Sequence, residues 1–291
     1  MTIWKEYLLA NSIEQAFELL DSVDDSTCWV GGGSDLMLEV QQGRRKPADR
    51  MVDLNSIPQL GVLELQDGCL LIGAGVPVSK IASSPIVKEH AQAVVEATRL
   101  IGGPQVRNVA TLGGNVAHAL PAADGMISLV AMDAIAIIAQ KAGMDEQPIL
   151  KLFKGPGITM LEKNQIILQF RIKQREKGEG SAFQRIMRPQ GVALPILNLA
   201  IWVKRDKEMV LDLRVVFGPS GPVPTRASFV EAALRGKLMS QDAINEALAA
   251  ITATVNFRTS KNRATAEYRH QIARQLFVKT LASAWERAES A

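Results

Sequence analysis

Two glycine-bearing segments carry the strongest chemical signal in this chain. The first, Gly31-Gly32-Gly33-Ser34-Asp35-Leu36, lies between a strand-like stretch ending at Val30 and a helix-like stretch. Consecutive glycines lack side-chain bulk, so the backbone can approach a ligand closely and turn successive N–H groups toward it. A helix beginning directly afterwards adds partial positive charge, and the combination suits a pyrophosphate. The same residues would also make a tight strand-to-helix turn that binds nothing. The second segment, Arg107-Asn108-Val109-Ala110-Thr111-Leu112-Gly113-Gly114-Asn115, again sets glycines beside hydroxyl and amide donors, with an arginine close by. Neither segment is decisive alone. Two of them in one mixed α/β chain are better explained by one ligand held from two sides, and a dinucleotide has the length to need that.

Other chemical templates fail. Gly73-Ala74-Gly75 follows a strand-like run, but Val78 stands where a dinucleotide fingerprint needs its third glycine. Gly236-Lys237 is followed by Leu238, so there is no P-loop, and neither a nucleophile elbow nor an H-E-x-x-H pair occurs. Cys28 and Cys69 sit in apolar runs and are expected as buried thiols rather than a disulfide. Two cysteines cannot supply an iron–sulfur cluster. His90, His118 and His270 are far apart, so no metal site is expected. No acid/base pair or nucleophile constellation emerges, and no catalytic residue is assigned.

The elements that must position these segments follow from patterning. Ser12 and Gln15 open a helix over about 12–21, Thr27–Val30 is a short strand, Asp35–Gln42 a helix and Arg50–Leu54 a strand. That α-β-α-β start suits a small parallel sheet. Val62–Leu65 and Cys69–Ile72, joined through Asp67-Gly68, read as a hairpin. Helices are expected at 78–82, 90–101 and 124–132, and strands at 134–139 and 166–172. The charged, glycine-bearing stretch Lys173–Ser181 reads as the main domain boundary. Beyond it, 182–187, 196–204 and 210–217 suit a three-stranded antiparallel sheet, followed by helices at 240–254 and 266–287. Phe277, Leu281 and Trp285, spaced by four, form a stripe better suited to the chain's own core than to an interface.

Composition bounds the rest. Hydrophobic residues make up 47 %, enough for a large core, and 33 basic against 30 acidic residues leave only +3. So small an excess argues against a dedicated nucleic-acid surface. The longest apolar run, Met126–Ala139, is interrupted by Ser128 and Asp133 and is too short to span a bilayer. The N-terminus lacks the basic-then-apolar order of a signal peptide, so a cytoplasmic location without membrane insertion is expected.

Taken together, Gly31–Leu36, Gln105–Asn115 and Pro121-Ala122-Ala123-Asp124 resemble the FAD-binding (medium) subunits of the molybdenum hydroxylases, the carbon monoxide dehydrogenase and xanthine or nicotinate dehydrogenase family. The resemblance extends through Leu152–Thr159, Leu213–Gly218, Val223–Ala227 and Ala266–Arg269, and so covers nearly the whole chain. It implies an α+β fold: a two-subdomain FAD-binding domain of the vanillyl-alcohol-oxidase (PCMH) type over 1–175, with subdomains of about 1–56 and 57–175, then a small C-terminal domain over 180–291. It implies non-covalent FAD, with the molybdenum cofactor on a large partner subunit, [2Fe-2S] clusters on a small one, and NAD+ or another molecule as acceptor. Val30 to Leu36, Arg107, Thr111, Gly113, Gly114 and Asn115 would hold the FAD diphosphate and ribityl chain. Asp124 would accept a hydrogen bond from a flavin-side hydroxyl, or else cap the following helix. Arg185 stands where the family often carries a lysine near the flavin ring, and could equally be a solvated strand arginine. Gln165 stands where the family favours an acid. A self-contained flavin oxidase of the same fold and a non-catalytic nucleotide-binding module are the alternative functions.

Overall fold

The computed structural model describes residues 4–21, 27–188, 194–261 and 263–289. The chain opens with strand β1 (Glu6–Leu9), helix α1 (Ile13–Asp21), strand β2 (Thr27–Val30), helix α2 (Ser34–Gln41) and strand β3 (Arg50–Asp53). The strands form the expected parallel sheet, in the order β1-β3-β2, with Leu9 and Val30 both opposite Asp53. Helix α1 starts where Ser12 Oγ accepts from Gln15 N at 3.1 Å and Gln15 Oε1 accepts from Asn11 N at 2.7 Å. Its Ala16 and Phe17 are buried. Strand β1 is an addition to the expected order. It is mostly exposed and lacks the alternation that betrays a strand in sequence.

A five-stranded antiparallel sheet follows. Strands β4 (Leu63–Gln66) and β5 (Cys69–Gly73) form the expected hairpin, with Asp67 and Gly68 at φ 50° and 72°, the two left-handed residues of a type I′ turn. Six helices come next: α3 (Val78–Ser83), α4 (Pro85–His90), α5 (Gln92–Arg99), α6 (Pro104–Val109), α7 (Leu112–Ala117) and α8 (Asp124–Ala131). Strands β6 (Ile135–Gln140), β7 (Gly143–Pro148), the short pair β8 (Phe153–Gly155) and β9 (Ile158–Thr159), and β10 (Ile166–Lys173) complete this part, and the sheet order is β4-β5-β10-β6-β7. The helix expected over 90–101 is instead broken at Ala91, whose backbone at φ −148° and ψ 59° is not helical. The cause lies far away in sequence: Ser181 Oγ accepts from Ala93 N at 3.1 Å, which satisfies a first-turn donor of α5 and lets it start afresh.

The C-terminal part is a second antiparallel sheet, β11 (Glu179–Met187), β12 (Pro195–Asp206), β13 (Met209–Gly218) and β14 (Thr225–Arg226), with helices α9 (Ser228–Leu234), α10 (Gln241–Thr254) and α11 (Ala266–Glu289). The three expected strands are joined by the two-residue β14, too short to leave a periodic trace. Ser240 Oγ caps α10 by accepting from Ala243 N. Phe277 and Leu281 are buried, and Trp285 lies under the Arg205 guanidinium at 4.1 Å, so the stripe faces inward. Helix α11 lies so close to β11 that a Cβ on Gly180 would sit 2.2 Å from Ala284 O, and only glycine fits. Among the described residues no helix is long and apolar enough to cross a membrane.

Every residue of α8 is buried. Phe183, Ala200, Trp202 and Val216 of the second sheet share one apolar cluster with α5 and α8. Polar contacts fix the junction. Glu96 of α5 accepts from Phe183 N at 2.7 Å and pairs with Arg287 at 2.6 Å, while Arg287 also donates to Ser181 O at 2.7 Å. Replacing Glu96 by Ala orphans the Phe183 N–H and removes the carboxylate paired with Arg287, and is expected to cost about 1–3 kcal/mol of stability, Gln costing less. Urea unfolding measures this. An unchanged midpoint for Glu96→Ala would mean that the apolar cluster alone holds the two parts together.

Candidate functional site

The first glycine segment leaves the carboxyl end of β2, the end of a parallel sheet where ligands are commonly received. Leu54 N donates to Val30 O and Asn55 Nδ2 to Gly31 O, both at 2.9 Å, which clamps the turn onto β3. Gly33 is the N-cap of α2 in the left-handed region, φ 67° and ψ −4°, and makes no side-chain cap bond. The first-turn N–H groups of Ser34, Asp35 and Leu36 therefore keep no intrahelical acceptor, which is the arrangement that receives an anion.

The second segment is not a loop throughout. Thr111 caps α7, its Oγ1 accepting from Gly114 N at 3.1 Å, so Gly113, Gly114 and Asn115 are helical. Gly113 is buried against Ala74, where a Cβ would come within 2.6 Å, whereas Gly114 is exposed. A third stretch of backbone joins in. Gly113 N donates to Ala74 O and Val78 N to Ala110 O, both at 2.9 Å, and Pro77 bridges Thr111. These Gly73–Val78 contacts leave no trace in the sequence, where Gly73-Ala74-Gly75 reads only as an incomplete fingerprint.

The two glycine segments meet. A Cβ on Gly32 would lie 2.0 Å from Val109 O and 2.7 Å from Ala110 Cα, and one on Gly31 would lie 3.0 Å from Thr111 Oγ1. At Gly32 and Val109–Ala110 backbone touches backbone, so at that point there is no room for a ligand between the segments. Beside them opens a cleft of about 580 Å³, bounded by Val30 to Gly33, Met37, Asn55, Val76, Pro77, Lys80, Asn108 and Val109, with Trp4 and Tyr7 at its edge. That size is ordinary for a cofactor site. Tyr7 donates to Asp53, and burial together with that carboxylate pushes its phenol up to about 12. Asn55, Lys80 and Tyr7 carried no sequence signal, since each is a lone polar residue next to an ordinary turn or strand.

The remaining expected residues fall into two groups. Arg107 donates to Gly102 O at 2.7 Å and Ile101 O at 3.3 Å, closing the turn before α6. It is not among the residues bounding the cleft; Asn108 and Val109 supply that wall. Asp124 and Arg185 form a buried ion pair, with side chains 5 % and 7 % exposed. Asn198 Nδ2 donates to Asp124 Oδ1 at 2.7 Å and to Ala122 O at 3.1 Å. Asp124 opens α8 without capping it, because the N-cap is Ala123 and has no side-chain bond. Arg185 is thus no solvated strand arginine. Burial pushes the Asp124 carboxyl up, and Arg185 and Asn198 oppose that shift. Arg185 Nε and Asn198 Oδ1 remain buried without a partner, so the cluster can take both an acceptor and a donor from outside. Asn115 connects this cluster to the second segment, since its Oδ1 accepts from Met126 N in α8 at 3.3 Å. Gln165 bonds to Gln140 and to Glu162 N within its own turn. His118 stands 3.5 Å from both Asp35 and Glu39 of α2.

This fold and site define a class, and the comparisons with known proteins agree with it. Residues 3–173 match the family model described as the FAD binding domain in molybdopterin dehydrogenase, and residues 181–284 match the CO dehydrogenase flavoprotein C-terminal domain. The chain is 27 % identical to the carbon monoxide dehydrogenase medium chain of Hydrogenophaga pseudoflava, with 97 % of each covered. It is 28 % identical to the glyceraldehyde dehydrogenase medium chain of Sulfolobus acidocaldarius, over 94 % of this chain and 95 % of that one. A solved structure of the Hydrogenophaga carbon monoxide dehydrogenase superposes with a TM-score of 0.91 at 28 % identity, covering 97 % of both chains. Quinoline 2-oxidoreductase from Pseudomonas putida 86 shares the fold at a TM-score of 0.89 and 20 % identity, covering 98 % of both. The chain belongs to the molybdopterin dehydrogenase FAD-binding family, and is an FAD-binding oxidoreductase subunit of a multi-subunit molybdenum hydroxylase.

The residues present fit FAD. Gly32 leaves no room for a Cβ, free first-turn amides follow it, and the Asp124–Arg185–Asn198 cluster, linked to the second segment through Asn115, keeps a buried donor and a buried acceptor unpartnered. Gly32→Ala must push Val109 and Ala110 aside, and is expected to weaken FAD retention about tenfold, from the usual cost of overpacking. Gly155→Ala, with nothing within 4 Å, is the control. The ratio of flavin to protein absorbance after dialysis reads the effect, and equal retention in both variants would remove the diphosphate role from this turn.

Proposed function

We propose that this chain relays electrons within its enzyme. Its partners would be a large subunit carrying the molybdenum cofactor, where substrate is oxidised, and a small subunit carrying [2Fe-2S] clusters. NAD+ or another molecule would be the final acceptor. When bound, FAD supplies exchange between one-electron carriers and a two-electron acceptor. The observation that carries the reading is the glycine backbone contact beside the uncapped start of α2.

Each group of residues has a task in this reading. Val30 to Gly33 and the N–H groups of Ser34, Asp35 and Leu36 bind the diphosphate, with Thr111, Gly114 and Asn115 shaping the adjoining wall. Gly113 serves by packing the α7 backbone against Ala74, and Arg107 by holding the turn that precedes the wall. Asp124, Arg185 and Asn198 orient the flavin end through Arg185 Nε and Asn198 Oδ1. Pairing with Asp124 keeps the Arg185 charge in place without leaving it uncompensated. The relatives named above are subunits of enzymes for carbon monoxide and glyceraldehyde, and another is the nicotinate dehydrogenase FAD-subunit of Eubacterium barkeri. Such different substrates on one scaffold support substrate choice by another subunit. Residues 1–175 and 180–291 are proposed as the two domains, supported by the break between β10 and β11. A cytoplasmic location is part of the same proposal, supported by the unpaired thiols Cys28 and Cys69.

The chain expressed alone is expected to be yellow, to release its flavin on acid precipitation, and to show no hydroxylase activity. Turnover of a substrate by the purified single chain would defeat the relay reading. For the acceptor, anaerobic NADH is expected to bleach the flavin absorbance. Unchanged absorbance, with the complex still active on an artificial acceptor, would exclude NAD+.

A further inference from the structure

A feature of the C-terminal part stands apart from the flavin cleft. Arg269, in the first turn of α11, is only 1 % exposed, and its Nε and Nη1 are buried without any hydrogen-bond partner. Among the described residues no carboxylate pairs with it. Burial pushes its guanidinium below the ordinary range, and two more arginines, Arg263 and Arg258, add to that. Arg258 is exposed and Arg263 half-buried. Neither forms an ion pair among the described residues.

Burying a charge without a partner is among the most expensive arrangements a fold can hold. A lysine could shed its proton there, but an arginine cannot. The location compounds the problem, because α11 is a 24-residue helix and its N-terminal end carries partial positive charge of its own. The turn before it is folded over that end: Ser260 N donates to Ala264 O at 2.9 Å and Ala266 N to Thr259 Oγ1 at 3.1 Å. Next to Arg269, the His270 ring stands edge-on to Phe257 at 4.8 Å, so the neighbouring surface is aromatic rather than acidic. The acid in the first turn, Glu267, is exposed and forms no ion pair with the three arginines among the described residues. By contrast, the other two arginines with an orphaned buried nitrogen among the described residues, Arg185 and Arg214, have Asp124 and Asp133 beside them.

We propose that Arg258, Arg263 and Arg269, at the start of α11, form a binding site for a phosphate-type oxyanion, either free inorganic phosphate or the phosphoryl group of a small nucleotide. Planar guanidinium forks match its oxygens in pairs, and a dianion compensates more of the three charges than a single carboxylate does. The site is independent of the flavin assignment.

The test uses the full-length flavoprotein, titrated calorimetrically with inorganic phosphate and with AMP at constant ionic strength set by chloride. Wild type is expected to bind phosphate saturably and to gain in Tm with it, beyond any effect of chloride. The double variant Arg258→Gln/Arg263→Gln removes only exposed or half-buried groups and is expected to bind about tenfold more weakly or worse. In Arg269→Met phosphate should no longer raise Tm. Tighter binding of AMP than of phosphate would identify a nucleotide phosphoryl group as the occupant, and equal binding would identify free phosphate. The proposal is overturned if wild type takes up neither anion saturably, or if the double variant binds them as tightly. An acidic segment of a partner subunit would be the answering anion if wild type ignores both while assembly of the complex weakens in the double variant.

Discussion

The site depends on one steric constraint: two stretches of backbone, at Gly32 and at Val109–Ala110, lie closer than any side chain would permit. That contact joins the three-stranded parallel sheet to the helical turns that precede α7. It brings the uncapped start of α2 to the edge of the cleft. It also explains why the glycines are needed for reasons that differ residue by residue. Gly32 admits the other segment, Gly33 takes the left-handed conformation that opens α2, and Gly113 admits Ala74. Glycine runs invite a ligand-centred interpretation, but here most of the missing side chains are missing because the protein itself occupies the space.

A second constraint is electrostatic. A carboxylate, a guanidinium and an amide are buried together where α8 meets the second sheet, and each member limits what the others can do. Asp124 would be driven toward its neutral form by burial alone, and Arg185 would be an unpaired charge without it. What is left over is directional: one donor and one acceptor, both dry. Such leftovers are costly in a finished core and are well suited to a site completed by a bound molecule.

How much of this was legible in the sequence divides along physical lines. Strands and helices with strong periodicity, such as β10 and α10, lie close to where their patterns place them, and the Ser12 and Ser240 caps do what their residue types suggest. The family resemblance supplied the fold and the cofactor. What stayed hidden depended on contacts between distant residues. The break at Ala91 needs Ser181, the role of Arg107 is set by carbonyls behind it, and the Asp124–Arg185 pair joins residues on different domains. Strand β1 escaped because it is exposed on an edge, and Gly73–Val78 escaped because its part in the site is played by backbone. The opposite case is Arg185: its residue type and position draw attention in the sequence, but its charge is answered within the chain by Asp124 rather than standing free.

Helix α8 has no solvent face, and its residues pack into both halves of the molecule. An element packed on all sides cannot slide or tilt without opening two cores at once, and protein interiors resist that strongly. In the proposed assignment, the flavin end of the site is therefore anchored to a rigid beam rather than to a hinge. For the proposed relay this matters, because tunnelling rates fall steeply with separation. A carrier mounted on such a beam keeps one fixed spacing to whatever docks against either half, and its speed is set by assembly geometry rather than by domain motion.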